Sequence, residues 1–179
     1  MISSQVIGNS RKKGFTLIEL VLYTGLLMLF LTAATTALWD IILGNVKSSV
    51  EQEVQENLRY GAHRIQFEIR NSDSINAGAS SFGVNLATNP ALKVSFAAPN
   101  PYNPVEFRVS EGVLEIKTGS GEWTALTSAA VEVTDLTLAD LSDSDSENVE
   151  FTLTLRYKNP SGRSQWEKEA TFEGAANLR

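Results

Sequence analysis

Apolar positions follow three successive rhythms along the chain. From Phe15 to Trp39 they form an almost unbroken run, interrupted only by small residues, threonines, Tyr23 and a single charge, Glu19. From Val46 they recur at steps of four and three, through Val50, Val54, Leu58, Ala62, Ile65 and Ile69, with Glu51, Glu53, Glu56, Arg59, Arg64 and Glu68 between them. That is the period of a helix with one buried stripe and one solvated face. No proline occurs before Pro90, so the spacing predicts one continuous helix from about Phe15 to about Asn71. Gly44 and Gly61 are its weak points, each costing about 1 kcal/mol against alanine.

Beyond Asn71–Ser81, a loop rich in Ser, Asn, Ala and Gly, the rhythm changes to short β-type runs. The expected strands are Phe82–Leu86, Leu92–Ala97, Val105–Val109, Val113–Lys117, Glu122–Leu126, Val131–Leu138, Val149–Tyr157 and Gln165–Phe172. Ser110-Glu111-Gly112 reads as a hairpin turn, Gly119-Ser120-Gly121 as a second and Asn159-Pro160-Ser161-Gly162 as a third. Pro99, Pro101 and Pro104 exclude a central strand across that stretch. Phe151, Leu153 and Leu155 alternate with Thr152, Thr154 and Arg156, which predicts a half-buried sheet. The fold class is α+β: a long N-terminal helix, with an antiparallel sheet packed on its second half.

The apolar run is long enough to cross a bilayer, about 37 Å at 1.5 Å per residue. Arg11, Lys12 and Lys13 precede it and are expected to stay on the cytoplasmic side, placing the C-terminal part outside. Gly25, Ala33, Ala34 and Ala37 permit close helix approach, although small residues are tolerated in any membrane helix. Trp39 is read as an interfacial aromatic. Glu19 is harder to account for. A carboxylate in hydrocarbon costs on the order of 2.5–3.5 kcal/mol at mid-bilayer, and a mere anchor has no use for it.

Lys13-Gly14-Phe15-Thr16-Leu17-Ile18-Glu19 resembles the processing site of type IV prepilins and of the related pseudopilins of type II secretion. The resemblance implies cleavage by a prepilin peptidase after Gly14, N-methylation of Phe15, and Glu19 as the assembly residue. It divides the chain into a leader, 1–14, a transmembrane or filament-core half-helix, 15–43, an amphipathic half-helix, 44–71, and a β head, 72–179. Arg64-Ile65-Gln66-Phe67-Glu68-Ile69-Arg70-Asn71-Ser72-Asp73-Ser74-Ile75 is similar to the helix end of minor pilins and J-type pseudopilins, and Leu178-Arg179 to the ending of J-type pseudopilins and W-type minor pilins. The implied partners are other pilin or pseudopilin subunits, the peptidase, an inner-membrane platform protein with its cytoplasmic ATPase, and the membrane. The implied location is the inner membrane, then a surface or periplasmic filament. A cationic amine at Phe15 of one subunit can meet Glu19 of a staggered neighbour, and such a pair costs far less than either charge buried alone.

Composition narrows the alternatives. The formal net charge is −6, and removing residues 1–14 leaves 12 basic against 21 acidic residues, or −9. That disfavours nucleic-acid binding through phosphate neutralisation. With no cysteine there is no disulfide, thiolate metal site or cysteine nucleophile, and with one histidine, His63, no His-paired metal site forms within a chain. His63 is expected at the surface, and Trp123 and Trp166 in the core. Asp140, Asp143, Asp145, Glu147 and Glu150 form an acidic run, but an EF-hand loop starting at Asp143 needs Gly and Glu where Asn148 and Thr154 stand. A solvated loop is the expectation, with no metal and no cofactor. No nucleophile motif or P-loop occurs, so the chain is expected to be neither an enzyme nor its own motor. The reading is a structural, minor-type filament subunit. A type II secretion pseudopilin and a competence-pilus subunit are alternatives within the family; an ordinary secreted or signal-anchored β-domain protein is the alternative outside it.

Overall fold

In a computed structural model of the chain, the described residues are 14–143, 146–159, 162 and 166–178. They fall into two compact units divided between Leu43 and Gly44. One helix, α1 (Leu17–Arg70), supplies all of the regular structure in the first unit and the N-terminal element of the second. Eight strands follow among the described residues, β1 (Ser74–Ile75), β2 (Val94–Ala97), β3 (Val105–Ser110), β4 (Val113–Thr118), β5 (Thr124–Ala125), β6 (Val131–Asp140), β7 (Asn148–Tyr157) and β8 (Glu169–Asn177). The fold is α+β, as the periodicity predicts.

The strands form two antiparallel sheets rather than the one expected, ordered β1-β2-β3-β4-β5 and β6-β7-β8. Both pack on the apolar stripe of α1. Val50, Val54, Leu58, Ala62, Ile65 and Ile69 are buried, and Val46 is half-buried. Gly61 explains why a helix with two sheets on it tolerates a glycine. A Cβ there would lie 3.2 Å from Leu114 Cδ2 of the first sheet and 3.2 Å from Leu153 Cδ2 of the second. The glycine lets the helix backbone lie close to both sheets here, and its cost in helix propensity is offset by that approach.

The expected strand Phe82–Leu86 is instead a turn followed by a single 3₁₀ turn at Leu86–Thr88. Gly83 has a φ of +71°, which ends extended structure, and Asn85 takes over the pairing. The Asn85 side chain accepts from Ala87 N at 2.8 Å and Leu136 N at 3.1 Å, and donates to Thr134 O at 3.0 Å. It thereby fills the irregularity in β6 between Val133 and Asp135, where the register with β7 shifts. The expected strand Glu122–Leu126 shrinks to two residues, and β1 arises inside the stretch read as loop. β8 reaches beyond its expected end at Phe172 to Asn177, through Gly174 and three alanine or asparagine positions of low strand propensity. Ten-residue β7 pairs with it along that length, so tertiary context overrides propensity. Gln165, Pro160 and Ser161 lie outside the described residues.

The β3–β4 hairpin forms where expected. Ser110 pairs with Val113, leaving Glu111 and Gly112 as a two-residue turn with φ of 51° and 75°. Two left-handed residues are what a type I′ turn requires. Gly112→Ala is expected to cost about 1–2 kcal/mol, because the left-handed conformation is strained for any residue with a Cβ and the new carbon would lie 2.8 Å from Glu132 Cγ. Urea unfolding of the variant beside the parent checks this.

The expected burial of Trp123 and Trp166 is not found, whereas His63 lies at the surface as expected. Trp123 is half-buried in a loop with the Arg108 guanidinium 4.1 Å above its ring, and Trp166 is half-buried against Tyr157. Neither is in the core; each uses its large ring to cover a polar neighbour at the surface. His63 is exposed. In the acidic run, Glu147 Oε2 accepts from Ile75 N at 3.0 Å, so this carboxylate ties the loop to β1. Asp140 and Asp143 accept backbone N–H bonds from Ser142 and Ser146 within the loop, and Asp145 lies outside the described residues. Among the described residues no three metal-ligating side chains come together.

Candidate assembly site at the start of the helix

Gly14, Phe15 and Thr16 lead into α1 without regular structure, and Leu17 is its first residue. Thr16 is the N-cap. Its Oγ1 accepts from Glu19 N at 3.3 Å, and its carbonyl accepts from Leu20 N at 3.2 Å. Thr16-Leu17-Ile18-Glu19 is therefore the Thr-x-x-Glu pattern of a capping box, placing Glu19 in the first turn, where the helix dipole favours negative charge. That role was legible in the sequence and is missing from a reading that begins with membrane insertion.

Glu19 also has a partner one turn on. Tyr23 OH donates to Glu19 Oε1 at 3.4 Å, a long bond. Phe15 meets the same Tyr23 edge-on, with ring centroids 6.3 Å apart. Phe15, Glu19 and Tyr23, at i, i+4 and i+8, thus share one face of the helix start. Glu19 is half-exposed, and a carboxylate offers about four acceptor positions, so one long bond from Tyr23 leaves it open to a stronger donor. With Gly14 attached, the Phe15 nitrogen is an amide; cleavage after Gly14 would turn it into an amine. Arg11, Lys12 and Lys13 lie outside the described residues.

The other polar side chains of the apolar stretch are quenched locally. Thr24, Thr32, Thr35 and Thr36 each donate their hydroxyl to a carbonyl three or four residues back, at 2.8–3.1 Å. Back-bonded hydroxyls satisfy themselves inside an apolar medium. Glu19 is then the only charged group between Phe15 and Trp39. No residue from Gly14 to Ser49 is buried, and α1 contains a stretch long and apolar enough to cross a membrane. A membrane anchor and a signal sequence both fit that description.

A second polar feature lies where α1 ends. Asn71 Nδ2 donates to Phe67 O at 2.9 Å and Ser72 Oγ to Glu68 O at 2.7 Å, so two side chains cap carbonyls the helix leaves unpaired. Glu68 is buried beside Arg64, its ion-pair partner one turn earlier. Burial pushes the Glu68 carboxyl above its ordinary 4.5, and the Arg64 guanidinium opposes this only in part. A carboxyl raised in the folded state binds its proton more tightly there than when unfolded. Its stabilising contribution is therefore complete below the ordinary value and is lost as pH rises through the higher folded value. Stability is expected to fall across the range just above pH 4.5 for this group, and Glu68→Gln to flatten that fall; urea midpoints measured from pH 4 to 7 check it. At the start of β8, Lys168 Nζ meets Glu51 Oε1 of α1 at 2.7 Å and holds that exposed carboxyl below its ordinary value. The contribution of Glu51 runs the other way, being lost as pH falls.

Comparison with family models, with curated proteins and with solved structures gives no match to this chain.

Proposed function

We propose that the chain is a structural subunit, of the minor type, of a type IV pilus or pilus-like filament. It would be made as a membrane-anchored precursor, cut by a prepilin peptidase after Gly14, N-methylated at Phe15, and drawn from the inner membrane by a platform protein. The observation that carries the reading is Glu19. It is a lone carboxylate five residues past Gly14, half-exposed on an apolar helix, with one long intrachain hydrogen bond. Its natural complement is the cationic amine that cleavage would create at Phe15 of a neighbouring subunit. In an apolar bundle the two charges would satisfy each other and fix the stagger between helices. The remainder of the chain suits this role, since α1 continues into a separate unit with an α+β core.

Shearing of the native cells tests the proposal. The chain is expected in the sheared filament fraction and to vanish from it when the prepilin peptidase is deleted. A chain confined to the membrane, or released as a soluble domain whether or not the peptidase is present, would contradict it.

A further inference from the structure

The three-stranded sheet ends on an open strand. At the two ends of β8, Lys168 O accepts from Tyr157 N at 2.9 Å and Leu178 N donates to Glu147 O at 2.9 Å. Successive residues of an antiparallel strand point their N–H and C=O groups to alternate sides. The even-numbered residues of β8 therefore face β7, and Glu169, Thr171, Glu173, Ala175 and Asn177 turn their backbone groups outward. These five residues are exposed, and among the described residues no strand and no hydrogen bond reaches those backbone groups. The long edge on the other side of the same sheet is covered. Along β6, Val133 N donates to Gly112 O at 2.8 Å, Gly83 N donates to Leu138 O at 2.7 Å, and the Asn85 side chain bonds Leu136 N and Thr134 O. The end strands of the larger sheet, β1 and β5, are two residues each. An unpaired strand edge is a template for another chain, which proteins cover or keep short. The edge of β8 is neither covered by a described residue nor short.

The two sides of this edge differ in character. On the core side, Ala170, Phe172 and Gly174 are only half-buried, and Phe172 stacks on Phe151 with ring centroids 5.8 Å apart. Apolar surface thus remains at the margin of the core. On the outer side, the charged residues within the three strands are Glu132, Asp135, Glu150, Arg156, Glu169 and Glu173, so acid predominates. The one base, Arg156, is engaged by Glu132 at 3.1 Å. Asp135 accepts from Thr137 at 2.8 Å and Glu169 from Thr134 at 3.1 Å. Glu150 and Glu173 are exposed, with no ion-pair partner among the described residues, and stand diagonally across β7 and β8, where Glu150 pairs with Ala175 and Thr152 with Glu173. A second copy of β8 does not suit this edge. Antiparallel pairing over all 9 residues would set Glu173 opposite Glu173, and like charges directly opposite destabilise a sheet.

We infer that the open edge of β8 takes an extended segment of a partner protein as a fourth strand of this sheet. The segment alternates basic side chains, facing Glu150 and Glu173 on the outer side, with apolar ones, facing Ala170 and Phe172 on the core side. In recognition of this kind the main-chain hydrogen bonds supply affinity and the alternate side chains supply specificity. Strand addition extends a sheet in its own plane instead of covering either face. The site is complete within the second unit of one copy, so the inference goes beyond the filament reading and does not depend on it.

The full-length protein in neutral detergent micelles tests this by titration with a synthetic peptide that alternates lysine and valine over the length of β8, with backbone amide exchange followed residue by residue. The peptide is expected to bind and to slow exchange at Thr171, Glu173 and Ala175 by about tenfold or more. The same peptide N-methylated at alternate amides, and one with glutamate in place of lysine, should each bind about tenfold more weakly or worse. Ala175→Pro removes a donor that β7 does not use and should weaken binding by a similar factor while leaving amide protection in β7 as in the parent. Glu150→Lys with Glu173→Lys should reverse the preference, so that the glutamate peptide binds better. The N-methylated peptide needs no protein variant, so it decides the matter even if the proline disturbs the sheet. No binding of the lysine peptide, equal binding of its N-methylated form, or protection confined to residues outside β8 would overturn the inference.

Discussion

Glu19→Ala is expected to leave the protein folded, membrane-inserted and cut after Gly14, yet to remove it from sheared filaments at least a hundredfold. The sign of the membrane effect distinguishes this from simple misfolding. Removing a carboxylate from an apolar helix favours insertion by up to about 3 kcal/mol, so the variant should accumulate in the membrane at least as well as the parent. Only the step in which the carboxylate gains a neighbour's ammonium should fail. The capping box supplies a competing account, because Glu19 N is bonded to Thr16 Oγ1 and the residue lies in the first turn. Glu19→Gln separates the two. Glutamine fills the same position of a capping box and can keep a hydrogen bond with Tyr23, but carries no charge. If Glu19 only caps the helix, the glutamine variant assembles normally. If it pairs with an amine, glutamine fails almost as completely as alanine. Quantitative blotting of sheared and membrane fractions reads both variants.

Gly61→Leu should be the most damaging single change in the second unit, at about 3 kcal/mol or more, lowering its melting temperature by roughly 10 °C. The glycine faces Leu114 and Leu153 at once, with 3.2 Å from a would-be Cβ to each. A leucine side chain must push the helix off both sheets or force both leucines from their rotamers. Gly61→Ala should be close to neutral, since about 1 kcal/mol gained in helix propensity is set against two flexible methyl groups moving a few tenths of an ångström. Thermal unfolding of both variants, followed by near-ultraviolet circular dichroism, checks the contrast. A leucine variant as stable as the parent would mean that the helix is not seated between the sheets as described.

The long helix was readable because two hydrophobic rhythms agree on it, and the bounds Leu17–Arg70 differ from the expected Phe15–Asn71 by two residues at one end and one at the other. The β3–β4 hairpin was readable because Glu111-Gly112 carries its own turn chemistry. The division of the strands into two sheets was not. Alternation says which face of a strand is buried, but not which strand lies beside it. β5 and β1 are two residues each and leave no periodic trace. Asn85 misled for a related reason, since a side chain that substitutes for backbone pairing looks like an ordinary loop asparagine. At the candidate site, the charge and spacing of Glu19 were visible from the start. Tyr23 as its partner was also within reach, one helical turn away, but a tyrosine inside an apolar run reads as filler until its hydroxyl is seen to donate.

Intact-mass measurement with N-terminal sequencing of the protein taken from its own cells tests the central claim most directly. The account predicts a chain that starts at N-methylated Phe15 and lacks residues 1–14. A chain that starts just past the apolar run, near Ala37, or that keeps its leader with the native peptidase present, would contradict it.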